Sequence, residues 1–490
     1  LHRPLRPVLI TFVCAALLSG CTSVWDIDDI TSPTAGFETV SAGTEAAIGS
    51  RSVWVQNRQQ AESLTAQVSA MVKGKTIDAD TAVQVALLNN KGLQAAYADI
   101  GVSAVEVWQQ SLPLNPKVSL GVLGLGAPEV GLFRAVEGAV TTNLLAMATR
   151  DQRMKIAKAE FSAARLRALN ATLGLTAETR RAWIEAVGAF EAVSALNQAQ
   201  KAADAASALA AELGRTGAFS KAAQAREHAF FAELTGQKAE ALLAARLAKQ
   251  DLARLMGLWG EDLEFYVPDY LPRLPGHKRN VSGIEREALA KRVDLQLARL
   301  ELEATAQRYG LTEATRIVSD LELVSGLERE TEIEDDGSRK HVLTGQLELE
   351  FEIPLFDSGK PRLRKAELAY MRAANLLAEK AVAIRSQARS AALALTASYD
   401  IARHYQTAVV PLREIIRDEA LLTYNGMITN TFELLADTRA RTNAMLQAAQ
   451  ARRNYWLAEA SAVAAVHGGG ADSGITRTAV ANGGTESPAH

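Results

Sequence analysis

The chain reads as a mainly α-helical protein with a small β part, built from a duplicated helix–strand–strand–helix–helix unit. Three observations predict this. Ala86-Leu87, followed by Leu93-Gln94 and Ala96, recurs with identical spacing as Ala288-Leu289, Leu295-Gln296 and Ala298. Strand-like segments follow each copy, and then comes a very long Ala-rich helical region broken near its middle by a Gly turn. Leu347, Leu349, Phe351 and Ile353 alternate with Glu348, Glu350 and Glu352, the period-two pattern of a strand between two environments. A duplication of this size means that one half need not be a domain, because the halves can supply matching staves to a shared wall.

The elements follow in order. His2, Arg3 and Arg6 precede an apolar run from Val8 to Leu18, and Leu18-Ser19-Gly20-Cys21 follows. A basic segment, a short apolar core and small residues read as a secretory signal over residues 1–20. The Leu-Ser-Gly-Cys ending resembles the bacterial lipoprotein processing box. That resemblance implies cleavage before Cys21 and acylation of its sulfur and amine, and Thr22 resembles the outer-membrane sorting class. An ordinary signal with an incidental Cys is the alternative. Losing Arg3 and Arg6 takes the formal net charge from −3 to −5, which argues against nucleic-acid binding. The two cysteines, Cys14 and Cys21, leave no disulfide and no thiolate metal site after processing. No later apolar run is long enough for a transmembrane helix, so a membrane-entering mature chain must use strands of a closed barrel.

Residues 21–79 are polar and irregular and read as a lipid-anchored tether with little structure of its own. The first repeat spans 80–260: a helix over 80–112, a strand from Val118 to Leu125, a weak return strand from Phe133 to about Leu145, and a proline-free helix from about Thr149 to Leu213. At a rise of ~1.5 Å per residue such a helix approaches ~100 Å. Gly214-Arg215-Thr216-Gly217 breaks it, and a second helix returns to Leu255. Pro268, Pro272 and Pro275 mark a linker over 261–282.

The second repeat, 283–466, has a helix over 283–312, a strand from Ile317 to Leu327, a charged loop from Glu328 to Lys340, and the alternating strand His341 to Ile353. Asp357 or Ser358 is suited to cap the next helix, with Pro361 in its first turn. An apolar stripe runs through Ala366, Tyr370, Ala373, Leu377, Ala381, Ile384, Ala388, Ala391, Leu395 and Tyr399, and Pro411 predicts a kink. Tyr424-Asn425-Gly426 ends this helix, a return helix reaches about Val466, and the Gly/Ser/Thr-rich residues 467–490 read as a disordered tail.

At this point the residues resemble a family. Two copies of the unit behind a lipoprotein signal are similar to the outer-membrane efflux proteins of the TolC type, the lipoprotein outer membrane factors. The local matches are Ile353-Pro354-Leu355-Phe356-Asp357-Ser358-Gly359 at the strand-to-helix junction and Tyr424-Asn425-Gly426 through Phe432-Glu433-Leu434-Leu435 at the second helical turn. The first half departs: Leu144-Leu145-Ala146-Met147 has no Pro and no Asp-x-Gly, and the turn from Gly214 to Phe219 lacks the Tyr. The resemblance implies a homotrimer with a 12-stranded outer-membrane β-barrel on a long periplasmic α-helical barrel. It implies a passive export channel of a tripartite efflux or type I secretion system, with a periplasmic adaptor and an inner-membrane pump as partners. No Gly-rich phosphate loop and no nucleophile motif in its usual setting appears, which counts against a lipid-anchored periplasmic enzyme, so no catalysis and no cofactor are expected. A periplasmic adaptor or coiled-coil scaffold lipoprotein is the alternative, since it shares the helical hairpins.

Under this reading Glu348, Glu350 and Glu352 line the lumen, the other reading being the solvated face of an ordinary sheet. Gly217, Tyr424 and Gly426 lie at the helical-tip turns. Glu433 falls where the family narrows its periplasmic end; the second acidic position one turn later is Ala436 here, with Asp437 displaced by one. A plain surface carboxylate is the other reading of Glu433. His228, His277, His341 and His404 have no ligand spacing, and Asp335-Asp336-Gly337 lacks the alternating ligands of a calcium loop, so no metal site is expected.

Overall fold

The structure is a computed structural model that describes residues 28–125, 134–217, 220–333, 338–425 and 431–468. Its elements are α1 (Asp28–Thr31), α2 (Phe37–Ile48), α3 (Arg58–Val72), α4 (Ala79–Asn89), α5 (Lys91–Ser111), β1 (Lys117–Leu123), β2 (Ala135–Asn143), α6 (Leu144–Ala148), α7 (Arg150–Arg215) and α8 (Lys221–Leu255). Then follow α9 (Ile284–Lys291), α10 (Val293–Ala314), β3 (Leu321–Ile333), β4 (Arg339–Phe351), α11 (Lys360–His404), α12 (Val410–Asn425) and α13 (Thr431–His467). The mainly helical fold with a small antiparallel sheet is the one the sequence predicts.

The chain divides into two compact units. Of the described residues, the first holds 28–38 and those within Ala98–Arg165 and Leu297–Ala378. Its four strands form one antiparallel sheet in sequence order, β1-β2-β3-β4. The central pairing, β2 with β3, joins the two repeats, from Ala135 opposite Glu330 to Asn143 opposite Glu322. The expected charged loop from Glu328 to Lys340 is corrected: β3 continues to Ile333 and β4 starts at Arg339. Ladder pairing with β4 absorbs this polar stretch, because its glutamates alternate onto one face.

At the sheet-to-helix junction, Gly359 takes φ +71°, and its carbonyl accepts from Leu363 at 3.0 Å. Asp357 does not cap the first turn of α11. Its Oδ1 accepts instead from the Gly359 N–H at 2.9 Å, closing a short side-chain turn that sets up the left-handed glycine. Pro361 does lie in the first turn.

Of the described residues, the second unit holds those within Thr39–Tyr97, Leu166–Gln296 and 379–468. The expectation of little structure before residue 80 is corrected here. In α3 the spacing of Leu64, Val68, Met71 and Val72 makes one apolar face, which joins a core with Trp183, Leu252, Met256 and Phe265. Asn57 caps α3 by accepting from the Gln60 N–H at 2.9 Å. The single helices expected over 80–112 and 283–312 are each broken in two, at Asn90 and at Arg292.

The linker is held by hydrogen bonds. Tyr266 pairs with the strand-like segment around Thr76, donating to the Lys75 carbonyl at 2.8 Å and accepting from Ile77 at 2.9 Å. Glu191 of α7, 3 % exposed, accepts from the Leu271 N–H at 3.1 Å and faces Arg452 of α13 at 3.2 Å. Burial raises its pKa, and the Leu271 N–H and Arg452 offset part of that rise. Trp456 donates to the Pro272 carbonyl and Tyr399 to the Pro275 carbonyl, each at 3.0 Å.

The stripe expected on α11 is present. Ile384, Ala388, Ala391, Leu395 and Tyr399 are buried, and Tyr399 meets the Tyr455 ring edge-on at 5.7 Å. Tyr370, placed in the same stripe by spacing, is exposed. Where Pro411 predicted a kink, the helix answers with a π turn over Tyr405–Val409, in which Val410 donates to the Tyr405 carbonyl. Widening the turn before the proline accommodates a residue that lacks an N–H and crowds the preceding turn. No helix among the described residues is long and apolar enough to cross a membrane. The expected disordered tail lies, from residue 469 on, outside the described residues.

Candidate functional site

The register of the sheet sorts its side chains onto two chemically opposite faces. On one face lie Val118, Leu120 and Val122 of β1, and Val136 and Val140 of β2. On β3 and β4 the same face carries Leu321, Leu323 and Leu327, with Leu343, Leu347, Leu349 and Phe351. Apart from the half-buried Leu321 and Leu323, these side chains are uncovered: Leu120 is 83 % and Leu347 75 % exposed. A contiguous exposed apolar face of this kind marks a surface that meets something other than water.

The opposite face is acidic. Glu137 of β2 lies beside Glu328 of β3, and Glu322 beside Glu350 of β4. Glu330, Glu332 and Glu348 share that face. Cations cover only part of it: Lys117 lies 3.2 Å from Glu322, and Arg134 lies 2.8 Å from Glu330. Gln346 donates to Glu328 at 3.3 Å. Small residues make room for the carboxylates. A Cβ on Gly121 would collide with the Glu137 side chain.

Glu348 and Glu350 therefore lie on the acidic face, both exposed, opposite the leucines that alternate with them. Glu352 falls just past the end of β4, where its carboxylate accepts from Ser319 Oγ at 2.7 Å. Sequence reasoning singled out these three and missed Glu137, Glu322, Glu328, Glu330 and Glu332. The alternation Leu321-Glu322-Leu323 and the spacing of Glu328, Glu330 and Glu332 carried the same signal, masked by the charge density that suggested a loop.

The outer strands, β1 and β4, each pair on one side only among the described residues. Their free edges present unpaired N–H and C=O groups, which cannot persist in an apolar medium.

The helical-turn residues belong to the second unit. Gly217 takes φ +76° just past the end of α7, which runs one residue beyond Gly214. Tyr424 lies in the last turn of α12; Gly426 lies outside the described residues, as does Cys21. Glu433 is exposed in the first turn of α13, where a carboxylate complements the positive end of the helix dipole. Asp437, one turn on, is half-buried. Between the two hairpins, Arg439 of α13 reaches the buried Glu227 of α8 at 3.1 Å and lies 4.3 Å from the Phe230 ring centre. Among the described residues no three His, Cys, Asp or Glu side chains gather as a metal site, and Asp335-Asp336-Gly337 lies outside them.

No family model matches the chain, and no curated protein matches it. Solved structures do. The CmeC outer membrane channel of Campylobacter jejuni is similar over 80 % of this chain and 86 % of its own, with 19 % identity and a TM-score of 0.65. The outer membrane protein VceC of Vibrio cholerae is similar over 83 % of this chain and 97 % of its own, with 17 % identity and a TM-score of 0.63. The MtrE outer membrane channel of Neisseria gonorrhoeae is similar over 80 % and 88 %, with 16 % identity and a TM-score of 0.61. The chain has the fold of these outer-membrane channels, the TolC-type fold that its motifs resemble.

Proposed function

We propose that the protein is a passive outer-membrane export channel, active as a homotrimer whose three sheets close into one 12-stranded barrel. The observation that carries this reading is the open four-stranded sheet with one apolar and one acidic face. Four strands cannot close a barrel; three copies give twelve, within the range of known barrels. Edge would meet edge, β1 of one copy beside β4 of the next. The apolar face would meet lipid and the glutamates would line a wet lumen. From Leu343 to Phe351 the apolar rows of β4 run about 27 Å along the strand at ~3.4 Å per residue, and this span of about nine residues is what a tilted barrel strand needs to cross a bilayer core.

The strand ends that continue into long helices then face the periplasm, and the loops joining β1 to β2 and β3 to β4 face outward. The two helical hairpins would extend the duct and receive a periplasmic adaptor and an inner-membrane pump. The duct itself performs no chemistry, in keeping with solved neighbours that are outer membrane channels. Processing before Cys21 would add a lipid anchor.

Outer membranes containing the full chain provide the test. A trimer that resists dissociation by detergent until heated, and that is extracted like a barrel, supports the reading. A monomer released by salt or by loss of the anchor points to the adaptor or scaffold class and ends it. Mass spectrometry of the mature N-terminal peptide tests the anchor separately, and an unmodified terminus that begins elsewhere removes it.

A further inference from the structure

The apolar face of the sheet does not end the same way at both ends. Towards the sheet-to-helix junctions it finishes in Leu321 and Phe351, which lie opposite each other, with no cation on that face. Towards the β3–β4 loop it changes chemistry within a few rows. Arg329 lies opposite Leu343, His341 opposite Thr331, and Arg339 opposite Ile333. All are on the apolar side of the sheet, since Arg329 is also the neighbour of Val136.

His341 Nδ1 meets Thr331 Oγ1 at 3.1 Å. Arg329 and Arg339 are exposed and make no ion pair among the described residues. The glutamates of the described strands all lie on the other face, so the sheet itself offers these two arginines no carboxylate. A lipid-facing arginine is costly at the bilayer midplane and nearly free at the interface, where its head meets lipid headgroups.

We infer that Arg329 and Arg339 form a seat for the phosphorylated headgroup of a membrane lipid whose chains lie on the apolar rows beside them. The inference rests on the barrel reading above, which puts this end of the strands at the outward-facing leaflet. Continuity is what selects a lipid over a free anion. The same face offers cations and, directly adjoining them, the exposed Leu327, Leu343 and Leu347, so an occupant that satisfies both is an anionic amphiphile. The register separates the two arginines by four residues, about 13–14 Å along the strand direction, so a headgroup with two phosphates can engage both. Guanidinium suits this role because its fork matches phosphate oxygens.

The test uses the purified full-length trimer in neutral detergent, with lipid binding read by native mass spectrometry. The probes are diphosphorylated lipid A, its dephosphorylated form, and inorganic phosphate as competitor. Diphosphorylated lipid A should bind. The double variant Arg329→Gln/Arg339→Gln should weaken that binding roughly thirty-fold, or about five-fold per arginine removed. Lys340→Gln, on the opposite face, should not change it. The dephosphorylated lipid should bind the wild type no better than diphosphorylated lipid A binds the double variant, and millimolar phosphate should not compete.

Equal affinity in wild type and double variant overturns the inference, as does equal binding of the two lipids. Effective competition by phosphate would make the site one for a free anion and also overturns it. The presence of the heat-resistant trimer is scored first. Its absence sinks the channel reading, and the inference with it, whereas an intact trimer indifferent to phosphorylated lipid sinks the inference alone.

Discussion

Asn90 and Arg292 occupy the same post in the two repeats and have almost the same backbone. Their φ, ψ values are −65°, 118° and −63°, 120°, and each donates its N–H to the alanine four residues earlier, Ala86 or Ala288, at 3.0 Å. The side chains have diverged. Asn90 Oδ1 accepts from the Leu93 N–H at 3.0 Å, and its Nδ2 donates to the Leu255 carbonyl at 2.9 Å. Arg292 instead grips Asp294 with two bonds, of 2.9 and 2.7 Å, and donates to Gln387 at 2.6 Å. The repeat has kept a helix break and changed what fastens it.

That difference yields a stability prediction. The Arg292 and Asp294 side chains are 4 % and 10 % exposed, and Lys380 lies 3.3 Å from the same carboxylate. Burial pushes the Asp294 carboxyl up, but the hydrogen bonds and charge of Arg292, joined by Lys380, outweigh it and hold the pKa below its ordinary value. Arg292→Ala should cost about 3–5 kcal/mol, because it leaves Asp294 buried without its main partner. Because the folded-state pKa is depressed, the stability Asp294 contributes is present above its unfolded value. It should be lost as pH falls below about 4, towards the lower folded value. Denaturant midpoints of wild type and Asp294→Asn between pH 7 and 3 check this: the gap between them should narrow on acidification, and a constant gap refutes it.

The two-faced sheet makes a paired prediction. Leu349→Arg, on the apolar face, should destabilise the assembled barrel by roughly 2–4 kcal/mol near the midplane. Glu350→Arg, one residue on, should be tolerated and should shift ion preference towards anions. Single cysteines at 347, 349 and 351 should resist a water-soluble maleimide in membranes, while those at 348 and 350 react. Equal labelling of both sets would refute the assignment of faces.

What the sequence made legible follows from the range of the forces involved. The α11 stripe from Ile384 to Tyr399 and the Leu347–Phe351 alternation are local periodicities, and the structure keeps both. Glu328 to Glu332 read as a loop because five residues held four charges; only pairing with β4 makes it a strand. The β2–β3 ladder joins residues nearly two hundred positions apart, and no local pattern specifies such a partner. The helices within 28–79 were hidden by polar composition, since their apolar faces are narrow and become meaningful only against Trp183 and Leu252. For the acidic face, Glu348 and Glu350 of β4 carried the signal in the sequence, and the extent of the face waited on the register.

Gly359 carries a sharper test of the junction motif. Its φ of +71° disfavours any side chain, and a Cβ there would collide with the Arg316 carbonyl oxygen. Backbone, unlike a flexible side chain, cannot swing away. Gly359→Ala should therefore cost about 1–3 kcal/mol. Gly283, which has φ +81° but nothing within 4 Å of the added carbon, should lose less when changed to Ala. Parallel thermal melts of the two variants decide it, and a smaller loss at Gly359 would remove the steric argument.

The last prediction concerns Glu433, exposed in the first turn of α13. In a trimer whose hairpin tips converge on the duct axis, three copies of this carboxylate would approach one another. Like charges in a narrow mouth repel, and they concentrate cations. The mouth must then be held shut by ties between hairpins, and Arg439 supplies one by pairing with the buried Glu227. Glu433→Gln should lower cation selectivity in single-channel recordings and leave the heat-resistant trimer intact. Arg439→Ala should act differently: by freeing the tie it should raise the fraction of time the channel conducts, with selectivity unchanged. If Glu433→Gln left both conductance and selectivity untouched while Arg439→Ala altered gating, the constriction would lie elsewhere on the hairpins, and Glu433 would be a solvated helix-end carboxylate.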